Sequence, residues 1–245
     1  MGATHPLCHM KLSIIIPVFN EVNTITSIVR KVQAVEYEKE IIIVDDASTD
    51  GTKDIVQKLT EQPGIKVFYH KKNCGKGAAI RTAIKNIEGN ITIIQDADLE
   101  YDPADYTGLL KPILDGRADV VYGSRFQGGP HRVLFFWHCI GNKFLTLFSN
   151  MMTNLNLTDM ETGYKAFKSN VIKNISLTSE RFGFEPEVTA KIAHCNNYKI
   201  YEVPISYSGR DYSEGKKIGW KDGVAAIYFI LKYNIQAKFE SSFKK

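Results

Sequence analysis

Five short apolar runs, each ending at a group of polar residues, constrain the fold of this 245-residue sequence more than any other feature. The runs span 12–18, 40–44, 65–69, 91–94 and 118–122, and helix-like patterns separate them. Continuous apolar runs of this length are typical of strands that are buried on both faces of a parallel sheet. The alternation therefore predicts right-handed crossovers and an α/β fold, with a mostly parallel sheet and helices on both faces.

Helix patterns fill the gaps between these runs. Asn20 stands where it can cap a helix that carries Ile25, Ile28, Val29 and Val32 at helical spacing. Further helices are predicted over 52–59, 78–87 and 103–115.

The second half of the chain is less regular. The predicted elements are helices over 134–152, 185–193 and 220–234 and strands over 164–167 and 199–207. No repeat, low-complexity segment or linker interrupts the pattern, so we expect a single domain over 11–235. Residues 1–10 are interpreted as a tag or a disordered start, and 236–245 as a basic tail.

Composition excludes several classes of protein. Lys plus Arg is 31 and Asp plus Glu is 27, and the resulting net charge of +4 argues against a nucleic-acid partner. No apolar stretch reaches the roughly 18 residues of a membrane span. The four cysteines form no C-x-x-C pair, which favours free thiols in a reducing cytosol.

Carboxylates follow the fourth predicted strand at alternate positions. Asp96, Asp98 and Glu100 share one face if the chain there is extended. Oxygen ligands of this kind suit Mg²⁺ or Mn²⁺ bound together with substrate phosphates. A D-x-D sequence is also a common polar turn. Its place at a strand end, where ligands of such sheets bind, favours the metal site.

An acidic pair, Asp45 and Asp46, ends the second predicted strand. An acid at this place can accept hydrogen bonds from a ribose or a base, or it can simply cap the next helix. The dinucleotide fingerprint and the P-loop are both absent, which disfavours a hydride-transfer enzyme. A bound nucleotide would then have its diphosphate held by a metal.

Several motifs together resemble family 2 glycosyltransferases of the GT-A fold. They are SIIIPVFNE at 13–21, VDDASTDGT at 44–52, NCGKG at 73–77 and DAD at 96–98. The triplets GSR at 123–125 and TGY at 162–164, with GFEPE at 183–187, look like the dolichyl-phosphate mannose synthase and glucose synthase branch. The resemblance covers about residues 11–235.

This resemblance implies a nucleoside-diphosphate sugar donor (GDP-mannose or UDP-glucose), a divalent metal and inversion at the anomeric carbon. It places Asp96, Asp98 and Glu100 at the metal, although the third position is often Gln in mannose synthases. The residues implied at the nucleotide-sugar site are Pro17, Asn20, Glu21, Asp45, Asp46, Lys76 and Asp96.

The acceptor decides which further groups the chemistry needs. A sugar hydroxyl needs a general base, whereas a phosphate monoester is already an anion at neutral pH and needs cations to position it. The cations predicted to bind an acceptor phosphate are Arg125, Arg132, Arg210 and Lys217. The predicted catalytic residues are Asp98, Arg125 and Arg210, with Asp159 and Glu161 as base candidates.

The resemblance also implies that the polar loop over 210–217 closes over the donor and the acceptor. The apolar stripe over 133–152 is expected mostly to pack on the sheet, with an interfacial membrane helix as the alternative. We predict a hexosyltransferase that acts on a polyprenyl (dolichyl or undecaprenyl) phosphate. It would be a cytoplasmic protein at the cytosolic membrane face, held by peripheral contact or a membrane partner. Transfer to a sugar hydroxyl of a cell-surface glycan, or a non-catalytic nucleotide-sugar-binding subunit, remain the alternatives.

Overall fold

The computed structural model describes residues 10–133, 135–181, 183–195, 197–211 and 220–242. The strands are β1 (Leu12–Val18), β2 (Lys39–Asp45), β3 (Ile65–Tyr69), β4 (Ile91–Ile94), β5 (Val120–Ser124), β6 (Lys165–Lys168) and β7 (Ile200–Pro204). The helices are α1 (Ile25–Ala34), α2 (Thr52–Leu59), α3 (Lys76–Ile84), α4 (Tyr106–Leu114), α5 (Phe136–Thr153), α6 (Ser169–Asn174), α7 (Phe184–His194) and α8 (Trp220–Ser242).

These strands form one mostly parallel sheet in the order β3-β2-β1-β4-β6-β5-β7. Strand β1 pairs in parallel with β2 and β4, and β5 pairs in parallel with β7. Strand β6 is the exception, because it runs antiparallel to both of its neighbours, β4 and β5. The predicted α/β class is confirmed.

Apolar clusters cover both faces of the sheet. Ile14 and Ile16 of β1 pack in one cluster with side chains of α1, α2 and α4. Ile15, which points to the opposite face, packs in a second cluster with side chains of α3, α6, α7 and α8. Burial of both faces explains why apolar residues stand at consecutive positions of β1.

Some predicted boundaries are wrong. The segment predicted as one helix over 103–115 begins as a 3₁₀ turn, Pro103–Asp105, in which Asp102 accepts the Ala104 N–H at 3.0 Å. Helix α3 begins two residues earlier than predicted, because Gly75 takes a φ of 93° and ends the preceding turn. The predicted strand over 199–207 ends at Pro204.

Asn20 does not cap α1. Its φ is 54°, and its side-chain oxygen accepts the Thr49 N–H at 2.8 Å instead. Helix α1 begins only at Ile25, after Thr24. Asn20 therefore ties the end of β1 to the loop that follows β2.

The reversal of β6 has a consequence for the site. A strand that runs antiparallel begins at the edge of the sheet where its parallel neighbours end. Residues 157–164, which precede β6, thus reach the edge where β4 and β5 end, and Gly123 N–H donates to Tyr164 O at 2.9 Å there. Both halves of the chain contribute residues to one edge.

Candidate active site

The carboxylates after β4 lie at this carboxyl edge. Leu99 takes a φ of 64°, and the Glu100 N–H donates to Asp98 Oδ1 at 3.1 Å, so the segment turns tightly on itself. Burial, with the charges of Asp96 and Glu100, raises the pKa of Asp98 to about 7. A cation bound beside these carboxylates would lower the cost of ionising Asp98.

Arg210 reaches the cluster from the segment after β7. Its guanidinium lies 3.4 Å from Asp98 and 3.1 Å from Glu21. Both oxygens of Glu100 are engaged, one by the Arg210 backbone N–H at 2.8 Å and the other by the Tyr207 hydroxyl at 2.8 Å. Four residues predicted for the site, Glu21, Asp98, Glu100 and Arg210, are therefore brought together.

Lys76, at the start of α3, contacts the cluster from the other side. Its Nζ lies 2.8 Å from Asp96 Oδ1 and 3.0 Å from Glu185 Oε1 of α7. Burial opposes the charged form, but the two carboxylates outweigh it and raise the pKa of Lys76. Sequence reasoning did not assign Glu185 a role, although it lies inside the GFEPE motif.

Arg125 and Asp159 form a buried ion pair across 34 residues of sequence. Asp159 accepts from Arg125 Nε at 2.6 Å, from a terminal guanidinium nitrogen at 2.7 Å and from the backbone N–H at 3.1 Å. The Tyr207 ring lies against the guanidinium, 5.1 Å away. Glu202 of β7 fixes the loop by accepting the N–H groups of Thr158 and Asp159 at 2.9 and 3.0 Å. Both oxygens of Asp159 are thus committed to holding Arg125.

Glu161 lies near this pair and is half-buried, with its Oε1 enclosed. Among the described residues its Oε1 has no hydrogen-bond partner. Burial, with the charge of Glu185, raises the pKa of Glu161 to about 8, so the carboxyl is mostly protonated at neutral pH. Burial also lowers the pKa of its neighbour Lys165 to about 8.

The acidic pair after β2 separates into two roles. Asp46 accepts the N–H groups of Cys74 and Gly75 at 2.9 and 2.6 Å and lies 2.6 Å from His70 Nδ1, so it holds the turn before Lys76. Asp45 instead lines an open cleft of about 510 Å³ with, among others, Tyr69, His70 and Lys53. The contact of His70 with Asp46 had no signal in the sequence.

The glycines of the NCGKG motif allow this turn to pack closely against the backbone of 179–181. A Cβ on Gly75 would lie 2.5 Å from the Glu180 carbonyl oxygen, and one on Gly77 would lie 2.5 Å from that of Ser179. Gly163 is similarly confined, since a Cβ there would lie 2.2 Å from Asp96 Oδ2. Larger residues at these places would displace the site.

Two predicted residues, Pro17 and Arg132, lie at the margin of the site. Pro17 of β1 stands opposite Val44 of β2 in the register. Arg132 bonds to the Gly209 carbonyl and to Asp211, each at 3.2 Å, and so borders the Arg210 segment. Lys217 and most of the predicted closing loop lie outside the described residues.

Helix α5 differs from expectation in its exposure. Leu145, Phe148 and Met152 pack on the core, as expected for the stripe. The other face leaves large apolar side chains in solvent, with Trp137 78% exposed. The exposed members of this face are Phe136, Trp137, Ile140, Phe144, Leu147 and Met151. Within the described part of the chain, no helix is both long enough and apolar enough to span a membrane.

Acidic and basic groups that meet beyond the carboxyl ends of parallel strands define the ligand site of an α/β enzyme. The chain belongs to glycosyl transferase family 2, whose family model matches residues 13–176. It is a glycosyltransferase, as the motifs predicted.

Its relatives include several enzymes named for lipid phosphates. It is 28% identical to an undecaprenyl-phosphate mannosyltransferase of Micrococcus luteus, over 94% of this chain and 97% of that protein. It is 27% identical to a dolichol-phosphate mannosyltransferase of Pyrococcus furiosus, over 91% of this chain and 64% of that one. A dodecaprenyl-phosphate galacturonate synthase of Rhizobium johnstonii is 25% identical, over 88% of this chain and 64% of the relative.

The fold is that of GT-A glycosyltransferases. Glucosyl-3-phosphoglycerate synthase of Mycobacterium tuberculosis, solved with Mn²⁺, UDP and glucosyl-3-phosphoglycerate, superposes with a TM-score of 0.73. The alignment covers 93% of this chain and 80% of that one at 17% identity, so the likeness concerns the fold.

Proposed function

We propose that this protein transfers a hexose from a nucleoside-diphosphate sugar to a polyprenyl phosphate, with inversion at the anomeric carbon and with Mg²⁺ or Mn²⁺. The observation that carries the proposal is the state of the two base candidates. Asp159 is fully engaged by Arg125, and burial raises the pKa of Glu161, which disfavours its ionised, proton-accepting form. A hydroxyl acceptor would need a base, whereas a phosphate needs only the cations that border the site.

The basic groups around the edge suit two phosphate-bearing substrates. Lys76 lies on the side of the NCGKG turn, where a donor diphosphate is expected. Arg125 and Arg210 approach from the second half of the chain, where we place the acceptor phosphate, with Arg132 and Lys217 as its outer partners. Planar guanidinium groups match phosphate oxygens in pairs. Asp159 then acts by orienting Arg125.

Asp96 and Asp98 fit a divalent metal. Burial, together with the charges of Asp96 and Glu100, raises the pKa of Asp98, and a divalent ion would favour its ionised form. Glu100, predicted as the third ligand, has its oxygens engaged by the segment after β7 and would have to release one. When bound, the metal would supply positive charge to the leaving diphosphate.

We place the nucleoside in the cleft after β2 and β3. Its volume of about 510 Å³ lies within the usual range for small-molecule sites. Asp45 supports this placement, because it lines the cleft and its Oδ2 has no hydrogen-bond partner within the described segments. Asn20 and Pro17 flank the same edge. GDP-mannose and UDP-glucose are the donors to compare.

We further propose peripheral contact with the cytosolic face of a membrane through the exposed face of α5. Its Trp and Phe side chains suit an interface between water and lipid. An acceptor with a polyprenyl tail would be presented at such a surface. One domain over 11–235 is proposed to carry the activity, since all seven described strands share one sheet.

The direct test is a product assay with purified protein, Mn²⁺, each donor and either undecaprenyl phosphate or a sugar acceptor. We expect a lipid-linked hexose from one donor and none from Asp98→Asn. Transfer to the sugar hydroxyl without lipid product would overturn the proposal and return Glu161 to the role of base. Loss of activity with EDTA and recovery with Mn²⁺ checks the metal.

A further inference from the structure

Two basic side chains at the active site share one arrangement. Lys76 contacts Asp96, which is assigned to the metal, and Glu185, which is not. Arg210 contacts Asp98, which is also assigned to the metal, and Glu21, which is not. Each cation therefore has one carboxylate partner outside the proposed metal set, and Arg210 also lies 3.8 Å from Glu100, the predicted third ligand.

The pair of Lys76 and Glu185 is the better enclosed of the two outer contacts. The Lys76 side chain is 19% exposed and the Glu185 carboxylate 7%. Among the described residues, Glu185 makes its ion pair with Lys76 alone, at 3.0 Å. The first turn of α7 supplies this carboxylate, whereas Asp96 stands in the loop after β4.

A divalent ion on Asp96 would compete directly with Lys76. The Lys76 Nζ lies 2.8 and 3.0 Å from the two oxygens of Asp96, so it occupies both acceptors of that carboxylate. A metal needs at least one of these oxygens and repels the ammonium group. If Asp96 were the sole partner of Lys76, its loss to a metal would leave the buried ammonium group unpaired, at a large desolvation cost.

We propose that Glu185 is a positioning residue that retains Lys76 beside the donor site while a divalent metal takes Asp96. Lys76 then loses its contact with Asp96 but stays paired with Glu185, where it can bind the donor diphosphate. Without Glu185, Lys76 pairs with Asp96 alone and competes with the metal. The inference rests on the metal-dependent function proposed above.

We expect substitutions of Glu185 and of Lys76 to change the Mn²⁺ affinity in opposite directions. Mn²⁺ affinity is measured without any substrate, from the electron paramagnetic resonance signal of the free ion. Glu185→Gln is expected to weaken Mn²⁺ binding by about fivefold or more, and Lys76→Met to strengthen it. The double variant is expected to bind Mn²⁺ as tightly as Lys76→Met, because no ammonium remains to compete.

The double variant also separates this effect from simple loss of charge. If Glu185→Gln weakens Mn²⁺ binding equally in the wild-type and Lys76→Met backgrounds, Glu185 acts only as a distant charge and the inference is wrong. If the wild type binds no Mn²⁺, the proposed metal site itself is wrong and the inference is overturned with it.

Glu187 provides a matched control on the same helix. Its carboxylate accepts the N–H groups of Thr178 and Ser179, each at 2.7 Å, and pairs with Lys191. Glu187→Gln is expected to lower the melting temperature and leave Mn²⁺ affinity unchanged. Glu185→Asp, which keeps the charge and withdraws the carboxylate by one methylene, is the second variant if Glu185→Gln folds poorly. It should weaken Mn²⁺ binding too, and unchanged affinity in it would overturn the inference.

Discussion

Replacing Asp159 by Asn tests the buried ion pair that we place behind the acceptor phosphate. The Asp159 side chain is fully buried and that of Arg125 is 16% exposed, so little water can replace the lost contact. Asn has the same shape as Asp but turns an N–H₂ group toward one of the guanidinium nitrogens. The variant therefore leaves a charged group without its counter-ion inside the protein.

The expected loss of stability follows from the geometry. Asp159 accepts three hydrogen bonds from Arg125, at 2.6, 2.7 and 3.1 Å. A hydrogen bond to a charged group contributes about 1.5–3 kcal/mol, and removing one partner of a buried pair costs about 3–5 kcal/mol. We expect Asp159→Asn to lower the free energy of unfolding by about 3–5 kcal/mol. The exposed pair of Lys111 and Asp115, 3.4 Å apart, serves as the control.

Urea denaturation followed by circular dichroism measures the change. Asp115→Asn should leave the midpoint unchanged, because an exposed pair is screened by water. The double variant Arg125→Met/Asp159→Leu should recover part of the loss, since apolar residues can replace a buried pair. An Asp159→Asn midpoint equal to that of Asp115→Asn would refute the reasoning.

Three further predictions concern pH, close packing and the membrane. Glu161 has a pKa of about 8 in the folded protein, above its value in the unfolded chain, so it destabilises the fold increasingly as pH rises from about 4 to 8. Glu161→Gln should therefore gain in melting temperature relative to wild type across that range, and a constant difference would contradict the assignment. Gly163→Ala should weaken Mn²⁺ binding with little change in helix content, because its Cβ would lie 2.2 Å from Asp96 Oδ2. Phe136→Ser/Trp137→Ser should lose co-sedimentation with anionic vesicles at an unchanged melting temperature; retained sedimentation would argue against α5 as the contact surface.

Much of the fold was predictable, because a strand covered on both faces is apolar at most of its positions. The runs at 12–18, 65–69 and 91–94 became strands with the predicted bounds. The direction of β6 was not predictable, since its sequence, KAFK, is four residues long and carries no directional signal. The exposed face of α5 was misjudged for a related reason. Apolar spacing identifies a helix face but not what covers it.

The sequence indicated which residues to expect at the candidate site, but not which of them contact one another. Glu21, Asp98 and Arg210, which the motifs assigned to the site, lie close together in the structure. The pairing of Arg125 with Asp159 depends on the reversal of β6, and the contact of Lys76 with Glu185 depends on how α7 packs. Neither can be seen in a linear sequence, because both are fixed by tertiary structure.

The packing of the NCGKG turn has a consequence for how such an enzyme can change over time. Gly75 and Gly77 pack directly against the backbone of 179–181, so the turn that carries Lys76 is fitted to the chain that leads into α7. A side chain gained at either glycine would force both segments to shift together. Sequence changes in the turn and in 179–181 are therefore expected to be coupled, although about a hundred residues separate the two segments.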